Sequence, residues 1–414
     1  MMRKSPENLC YNRGVFVHDA SSEPQTQTQA GASEVTLDPR RQEQAKAYAR
    51  RRRQLFFLET GLSGLFLLAW LIFGWSAELK RWLLTWTQND WLLVLGFGAV
   101  FGLTFQLLEL PLAYYSGFVL PHRYGQSTQT FRGWVKDQLL GLALSAVFGL
   151  PILSAVYWLL RVTGEWWWLL AALGYLLFAV VMGVLAPIII LPLFNKYTPL
   201  GEEHAELTRR LTALAERAGT RVAGVFRFDM SRRTKSANAA LTGLGRTRRI
   251  LLGDTLLEAF TTDEIETILA HELAHHVHRD IPRGLAFSSG ITLIGLYLAS
   301  LVLNWGVAVF GFEGPADIAA LPLLALTLGA FGLVIMPLGN AYSRWRERLA
   351  DRYALEVTHK PEAFASAFAR LANQNLSDAD PEAWAVFLFA SHPPLRERIA
   401  AARAFASAKK TITA

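Results

Sequence analysis

The chain has 414 residues, of which 52% are hydrophobic, and its formal net charge is +7 at pH 7. The apolar residues form long blocks of about 18 or more, which excludes an ordinary soluble globular protein and places the chain in the membrane class. The basic residues lie beside these blocks, where they commonly hold loops in the cytoplasm, so the positive charge does not predict nucleic-acid binding.

Residues 1–49 form the first predicted segment. They are polar, rich in Ser, Gln, Thr and charged residues, and lack the basic start and apolar block of a signal peptide. We interpret them as a disordered cytoplasmic tail. The tail contains Cys10, the only cysteine of the sequence, which excludes an intramolecular disulfide and a thiolate metal cage. A metal site must therefore use histidines and carboxylates.

Six apolar blocks follow, and each is long enough to cross a membrane as a helix. They cover residues 55–75, 91–114, 139–160, 166–193, 284–305 and 318–339. The first two blocks contain Glu59 and Glu109, which either face the interior of the helix bundle or reach toward the membrane surface.

Flanking charge predicts the orientation of these spans. The basic run Arg50 to Arg53 directly precedes the first span, so we expect a cytoplasmic N-terminus, and six spans return the C-terminus to the same side. The last loop, residues 306–317, contains no Lys or Arg, which fits the outside. Lys80 and Arg81, in the first loop, fit the outside less well. The membrane would be the plasma membrane of a prokaryote or the endoplasmic reticulum of a eukaryote.

Two hydrophilic stretches remain, and both fall on the cytoplasmic side, so they can form one split domain. The predicted organisation is a four-span region at 50–194, a first catalytic part at 195–283, a two-span hairpin at 284–340 and a second catalytic part at 341–414. Within the hydrophilic parts, short strands are predicted at 222–228 and 249–252. Helices are predicted at 202–218, 254–260, 261–279, 343–358 and 361–373. The expected fold is a mainly α-helical membrane bundle with a small β element.

The helix predicted at 261–279 contains the sequence His271-Glu272-Leu273-Ala274-His275. Two histidines four residues apart share one helix face and can bind one zinc ion. Glu272 lies on the flank of that face, where it can take a proton from a metal-bound water. This is the zinc-protease helix pattern. The alternative is a pair of surface histidines on an amphipathic helix.

A catalytic zinc needs a third protein ligand and one open position. His278 is two helical turns from His271, about 10.5 Å along the axis, which is too far for one ion. Glu347 is the best candidate, because it follows the sixth span on the same side of the membrane. Asp351 lies one turn further on and can accept a ring N–H from a ligand histidine. The alternative is a solvated helix of ion pairs, since four arginines surround Glu347.

Several motifs resemble the type I CAAX prenyl proteases and their prokaryotic relatives, a family of membrane zinc endopeptidases of the gluzincin group. The resemblance covers roughly residues 100 to 400 in consistent order. It includes residues 110–137, the run FNKYTPL at 194–200, SANA at 236–239, the Glu347 to Asp351 spacing, and HPP at 392–394 followed by Arg398 and Ile399.

The resemblance implies roles for the matching residues. His271, His275 and Glu347 would bind one zinc ion, Glu272 would be the general base, and Asp351 would support the site. Asn238 and His392 would contact the substrate backbone or the oxyanion. The implied activity is hydrolysis of peptide bonds in peptide or protein substrates that are lipidated or embedded in the membrane.

Two other functions remain open at this point. The protein could be a quality-control protease that cuts damaged membrane proteins without specificity for prenylated substrates. It could also be a non-catalytic membrane protein with a structural zinc, although structural zinc sites are usually closed by four Cys or His ligands.

Overall fold

The computed structural model describes residues 36–243 and 245–413 of the chain. The membrane half contains seven helices: α1 (Pro39–Ile72), α2 (Trp75–Leu84), α3 (Asp90–Tyr114), α4 (Leu120–Arg123), α5 (Phe131–Thr163), α6 (Trp167–Leu185) and α7 (Leu191–Phe194). Single π-helical turns, Tyr115–Val119 and Ala186–Ile190, precede α4 and α7. Cys10 and most of the predicted tail lie outside the described residues.

Five stretches of the described chain are long and apolar enough to cross a membrane, where the sequence predicted six spans. They are Pro39–Ile72, Asp90–Arg123, Phe131–Phe194, Asp280–Phe310 and Ile318–Thr358. The difference lies in the third stretch, which has 64 residues and contains both the third and the fourth predicted spans. Gly164, with a φ of 53°, interrupts the helix there, and Phe148 contacts Phe178 across the break. The chain therefore folds back at Gly164 as two helices, α5 and α6.

The N-terminal tail is shorter than predicted, because α1 begins at Pro39 rather than after residue 49. Asp38 caps the helix by accepting from the backbone N–H groups of Arg40 and Arg41. The first turn is also tied to a distant part of the chain: Arg41 Nε donates to Asn373 O at 3.0 Å, and Ala45 is fully buried. Composition alone indicated disorder, but these long-range contacts order residues 39–49.

The two predicted outside loops contact each other at one end of the bundle. Lys80 of α2 lies 2.8 Å from Glu313 and 3.0 Å from Asp317 in the loop before the last long helix. The pair neutralises the lysine that fitted this side poorly. Within the bundle, Glu109 of α3 accepts a hydrogen bond at 2.8 Å from Ser63 of α1, so its carboxylate faces a neighbouring helix.

The other half combines a small sheet with helices. The elements in chain order are β1 (Tyr197–Pro199), α8 (Ala205–Arg217), β2 (Val225–Phe228), β3 (Ala239–Thr242), β4 (Arg249–Gly253), α9 (Asp254–Ala259) and α10 (Thr262–Val277). The strand order is β1-β2-β4-β3, with β2 and β4 parallel and the other two pairs antiparallel. Strand β3 is therefore an edge strand. β1 and β3 were not predicted, since strands of three and four residues carry little periodic signal.

The chain then re-enters the membrane half and returns. The last elements are α11 (Asp280–Phe310), α12 (Leu321–Thr358), α13 (Pro361–Gln374), α14 (Ala383–Phe389) and α15 (Leu395–Thr413). The sixth predicted span and the helix predicted at 343–358 form one continuous helix, α12, of 38 residues. A single buried cluster contains side chains from both hydrophilic stretches, including Leu211, Leu269, Phe364 and Ala402. The division into five segments stays a prediction.

Candidate metal centre

Helix α10 begins with a complete capping box. Glu264 N donates to Thr261 Oγ1 at 3.3 Å, and Thr261 N donates to Glu264 Oε2 at 2.8 Å. The buried Glu264 carboxylate also accepts from Ser366 Oγ of α13 at 2.6 Å. The sequence predicted this cap, and the tertiary contact anchors the start of the helix in the core.

His271 and His275 project from the same face of α10, with ring centroids 5.0 Å apart. The intervening Leu273 and Ala274 are fully buried and face the core. Four-residue spacing therefore places both imidazoles on one side, as predicted. His278 is not part of the group; its ring packs against Tyr353 at 5.7 Å.

Glu347 of α12 faces the two imidazoles. Its Oε2 lies 3.1 Å from His271 Nε2, and its Oε1 lies 3.5 Å from His275 Nε2. The candidate ligand atoms of these three residues all lie within 4.8 Å of one another, as a common metal ion requires. Glu347 Oε2 is also buried and has no hydrogen-bond partner among the described residues. A cation would satisfy that oxygen, so the donor set fits a metal ion with an open coordination position.

Each imidazole is held from behind by a carboxylate. His271 Nδ1 lies 2.9 Å from Asp351 Oδ1, and His275 Nδ1 lies 2.8 Å from Asp280 Oδ2. These contacts leave both Nε2 atoms turned toward Glu347 and favour the tautomer in which Nε2 is free to bind a metal. The sequence predicted the role of Asp351 but not that of Asp280.

Two arginines complete these pairs. Arg398 donates through Nε to Asp351 Oδ2 at 2.8 Å, and Arg346 donates through Nε to Asp280 Oδ1 at 2.7 Å. Both guanidinium groups are buried and make a second, shorter contact to the same carboxylate. Each histidine is therefore the end of a His–Asp–Arg chain of hydrogen bonds.

Backbone geometry brings Asp280 back toward α10. Arg279, between α10 and α11, has a φ of 53°, which is a left-handed conformation rare for a residue with a side chain. The turn places Asp280 at the start of α11, within reach of His275 five residues earlier. The signal in the sequence was an acidic residue directly after the zinc helix, but spacing alone could not reveal the turn.

The electrostatics of the group suit a cation. Burial lowers the pKa of the His271 ring, but the carboxylates of Asp351 and Glu347 outweigh burial and raise the pKa to about 9. Burial raises the pKa of the Glu272 carboxyl, and the neighbouring His271 and His275 offset part of that rise. A carboxyl group whose pKa is moved toward neutral pH is suited to accept and return a proton.

Glu272 opens into a cavity of about 180 Å³ beside the metal-binding group. The wall of this catalytic cavity includes His271, Asn238 and His392, together with apolar side chains of α9, α10 and α13. His392 Nε2 lies 3.5 Å from Glu347 Oε2, and its Nδ1 contacts Ser391 Oγ at 2.9 Å. All the residues that the sequence singled out, from segments far apart in the chain, thus meet around one cavity.

Comparison with known proteins agrees with this arrangement. A family model described as CAAX prenyl protease N-terminal, five membrane helices, matches residues 26–196, and the model of peptidase family M48 matches residues 202–406. An uncharacterized metalloprotease of Bacillus subtilis, YhfN, is 34% identical over 360 residues, which are 86% of this chain and 84% of the relative. CAAX prenyl protease 1 of Saccharomyces cerevisiae is 32% identical over 71% of this chain and 68% of its own.

The fold has a close counterpart among solved structures. The crystal structure of S. mikatae Ste24p superposes with a TM-score of 0.80 and covers 90% of this chain and 92% of its own, at 24% identity. The sequence matches, the apolar helices and the His-His-Glu group agree with one another. The chain therefore belongs to peptidase family M48 and is a multi-span membrane metalloendopeptidase that resembles CAAX prenyl protease 1.

Proposed function

We propose that the metal of this protease is a single zinc ion bound by His271, His275 and Glu347. The observation that carries the proposal is the buried, unpartnered Glu347 Oε2, 3.1 Å from His271 Nε2 and on a different helix. Two imidazoles, one carboxylate and an open position are the usual ligand set of a catalytic zinc. When bound, zinc would polarise the scissile carbonyl and make a water molecule a better nucleophile at neutral pH.

The remaining chemistry falls to side chains of the chain itself. Glu272 accepts the proton of the attacking water and passes it to the nitrogen of the leaving amine. Asp351 and Asp280 hold the two imidazoles in position through their Nδ1 atoms. Asn238 and His392 lie in the wall of the same cavity, where they hydrogen-bond to the substrate around the scissile bond.

Strand β3 is the proposed guide for the substrate. It lies at the edge of the sheet, and Ala237, Asn238 and Ala239 at its start line the catalytic cavity. An extended peptide can add to such an edge through backbone hydrogen bonds. This arrangement supports an endopeptidase that binds an unfolded segment of its substrate.

We further propose that both termini and the catalytic half lie in the cytoplasm. Arg53, in the basic run before the first span, pairs at 3.1 Å with Glu382 of the catalytic half, so the basic residues and the catalytic site share one end of the bundle. In a Cys10→Ser background, a membrane-impermeant maleimide should label Glu313→Cys in intact cells but label Glu397→Cys only after permeabilisation. The reverse pattern would overturn the orientation.

The proposed substrates are lipidated or membrane-anchored proteins. The ligand Glu347 and the apolar stretch of α12 belong to one helix, so the cleavage site lies close to the membrane surface. The test uses purified full-length protein with a farnesylated peptide, the same peptide without the lipid, and an unmodified membrane protein. Preferential, chelator-sensitive cleavage of the farnesylated peptide is expected. Equal cleavage of all three would favour a quality-control protease, and zinc binding without any proteolysis would favour a structural zinc.

A further inference from the structure

A second cavity, of about 260 Å³, lies next to the catalytic cavity and is not needed for the chemistry described above. Its wall is polar and includes Tyr48, Arg52, Gln126, Ser127, Ser236 and Asn375. As far as the structure describes this wall, it contains no Asp or Glu. We call it the polar cavity.

Gln126 is the most unusual residue of the polar cavity. It is only 5% exposed, and neither its side-chain Nε2 nor its Oε1 has a hydrogen-bond partner among the described residues. Its position is nevertheless fixed, because Gln126 O accepts from Lys235 N at 3.1 Å and from Thr234 Oγ1 at 3.0 Å. A buried amide without partners is costly unless a ligand or water satisfies it. The amide therefore offers one donor and one acceptor to a bound molecule.

The cavity also has a positive charge that nothing described neutralises. The lining residue Arg233 is engaged by Asp137, at 2.7 Å and 2.8 Å. Arg52, in contrast, makes no ion pair with a described carboxylate, and its guanidinium lies over the Tyr48 ring at 5.9 Å. The polar cavity thus favours an anionic ligand that can also donate a hydrogen bond.

The two cavities are joined by a short run of backbone. Ser236 lines the polar cavity, whereas Ala237 and Asn238 line the catalytic one. Asn375 lines both and holds Ala237 with two hydrogen bonds, at 2.7 Å and 3.0 Å. An extended chain advances about 3.3 Å per residue, so a peptide at Asn238 reaches the polar cavity within about two residues.

We propose that the polar cavity binds the C-terminal carboxylate of the substrate, about two to three residues beyond the scissile bond. A C-terminal residue matches the wall: its carboxylate accepts from Gln126 Nε2 and pairs with Arg52, and its own N–H donates to Gln126 Oε1. A lipid phosphate has only acceptor oxygens and would leave Gln126 Oε1 without a partner. The inference rests on the proposed function, because it needs a peptide in the catalytic cavity.

Peptide binding tests the proposal independently of cleavage. Full-length Glu272→Gln protein in phosphatidylcholine nanodiscs is titrated with a fluorescent farnesylated peptide that ends in a free carboxylate, and with the same peptide ending in an amide. The acid should bind about tenfold tighter, as expected for a charge-assisted hydrogen bond near the surface. Arg52→Gln in this background should bring the ratio close to one. Arg51→Gln, an exposed neighbour that contacts Gln54 rather than the cavity, should leave the ratio unchanged.

The outcomes separate this proposal from the proposed function. Equal affinity for acid and amide, or the same loss of the ratio in the two arginine variants, would overturn the carboxylate site. Loss of acid binding in nanodiscs that contain phosphatidylglycerol, restored by Arg52→Gln, would assign the cavity to a lipid phosphate instead. If the acid is preferred but the native protein cleaves neither peptide, the proteolytic function fails and the carboxylate site stands.

Discussion

Glu347 Oε2 lies 3.1 Å from His271 Nε2, yet it takes part in no hydrogen bond with a described residue. The two atoms come from helices α12 and α10, which are separated in sequence by the whole of α11. A buried carboxylate oxygen without a partner is unfavourable, and a shared cation removes that cost. The geometry of this pair therefore links metal binding to the packing of two helices.

We expect zinc to stabilise the protein against unfolding. At a free zinc concentration of 100 times Kd, binding to the folded state alone contributes about 2.7 kcal/mol. A chelator should lower the apparent Tm and abolish activity, and added zinc should restore both. Glu347→Gln should remove the zinc-dependent shift in Tm. Glu356→Gln, a more exposed glutamate on the same helix, is the control and should keep the shift.

Replacing Glu272 should separate catalysis from metal binding. We expect Glu272→Gln to lower kcat/KM by a factor of about 10² to 10⁴, because the amide cannot accept the proton of the attacking water. Zinc content, measured by mass spectrometry, should stay at the native value. Glu258→Gln, an exposed glutamate of α9, should have native activity. A fully active Glu272→Gln protein would rule out this residue as the general base.

Asp280 should act as a positioning residue for His275. Asp280→Asn weakens its contact to His275 Nδ1, so we expect a loss of zinc affinity of about 10- to 100-fold, as for other outer partners of metal-binding histidines. Arg346→Gln should show a smaller loss in the same direction, because Arg346 holds Asp280. Arg348→Gln, an exposed neighbour, should bind zinc normally. Unchanged zinc affinity in Asp280→Asn would contradict the role.

A buried charge cluster should make the stability of the catalytic half depend on pH. Burial raises the pKa of Glu266, but Lys360 and Arg210 outweigh it and hold the pKa below its ordinary value of 4.5. A lowered folded pKa stabilises the fold above the unfolded pKa, and this stabilisation is lost as the pH falls through the folded value.

The corresponding variant is Glu266→Gln, whose free energy of unfolding should fall by about 1–3 kcal/mol at pH 7. The difference from the native protein should shrink below about pH 4.5. The measurement is the apparent Tm in detergent at several pH values. Glu216→Gln, an exposed glutamate of α8, should not change Tm. A Glu266→Gln effect that stays constant down to pH 4 would show that the charge is not responsible.

Much of the site could be predicted from local patterns. The four-residue spacing of His271 and His275 on one helix, the cap at Thr261 and the apolar blocks each depend on neighbours in the chain, and the structure contains all of them. Asp280, Arg346 and Arg398 were missed as supporting residues. Their contacts join α10, α11, α12 and α15, and no sequence spacing encodes which arginine meets which carboxylate.

The sequence by itself determined the class of this protein: apolar blocks that must leave water, and two histidines with a glutamate on one helix that can serve a metal. Only the tertiary structure decided that α12 brings Glu347 to those histidines, that the third apolar stretch turns back at Gly164, and that residues 39–49 are ordered. The physical reason is range. Periodicity and caps act within a few residues, whereas a metal site and a helix turn are selected by packing between segments far apart in the chain.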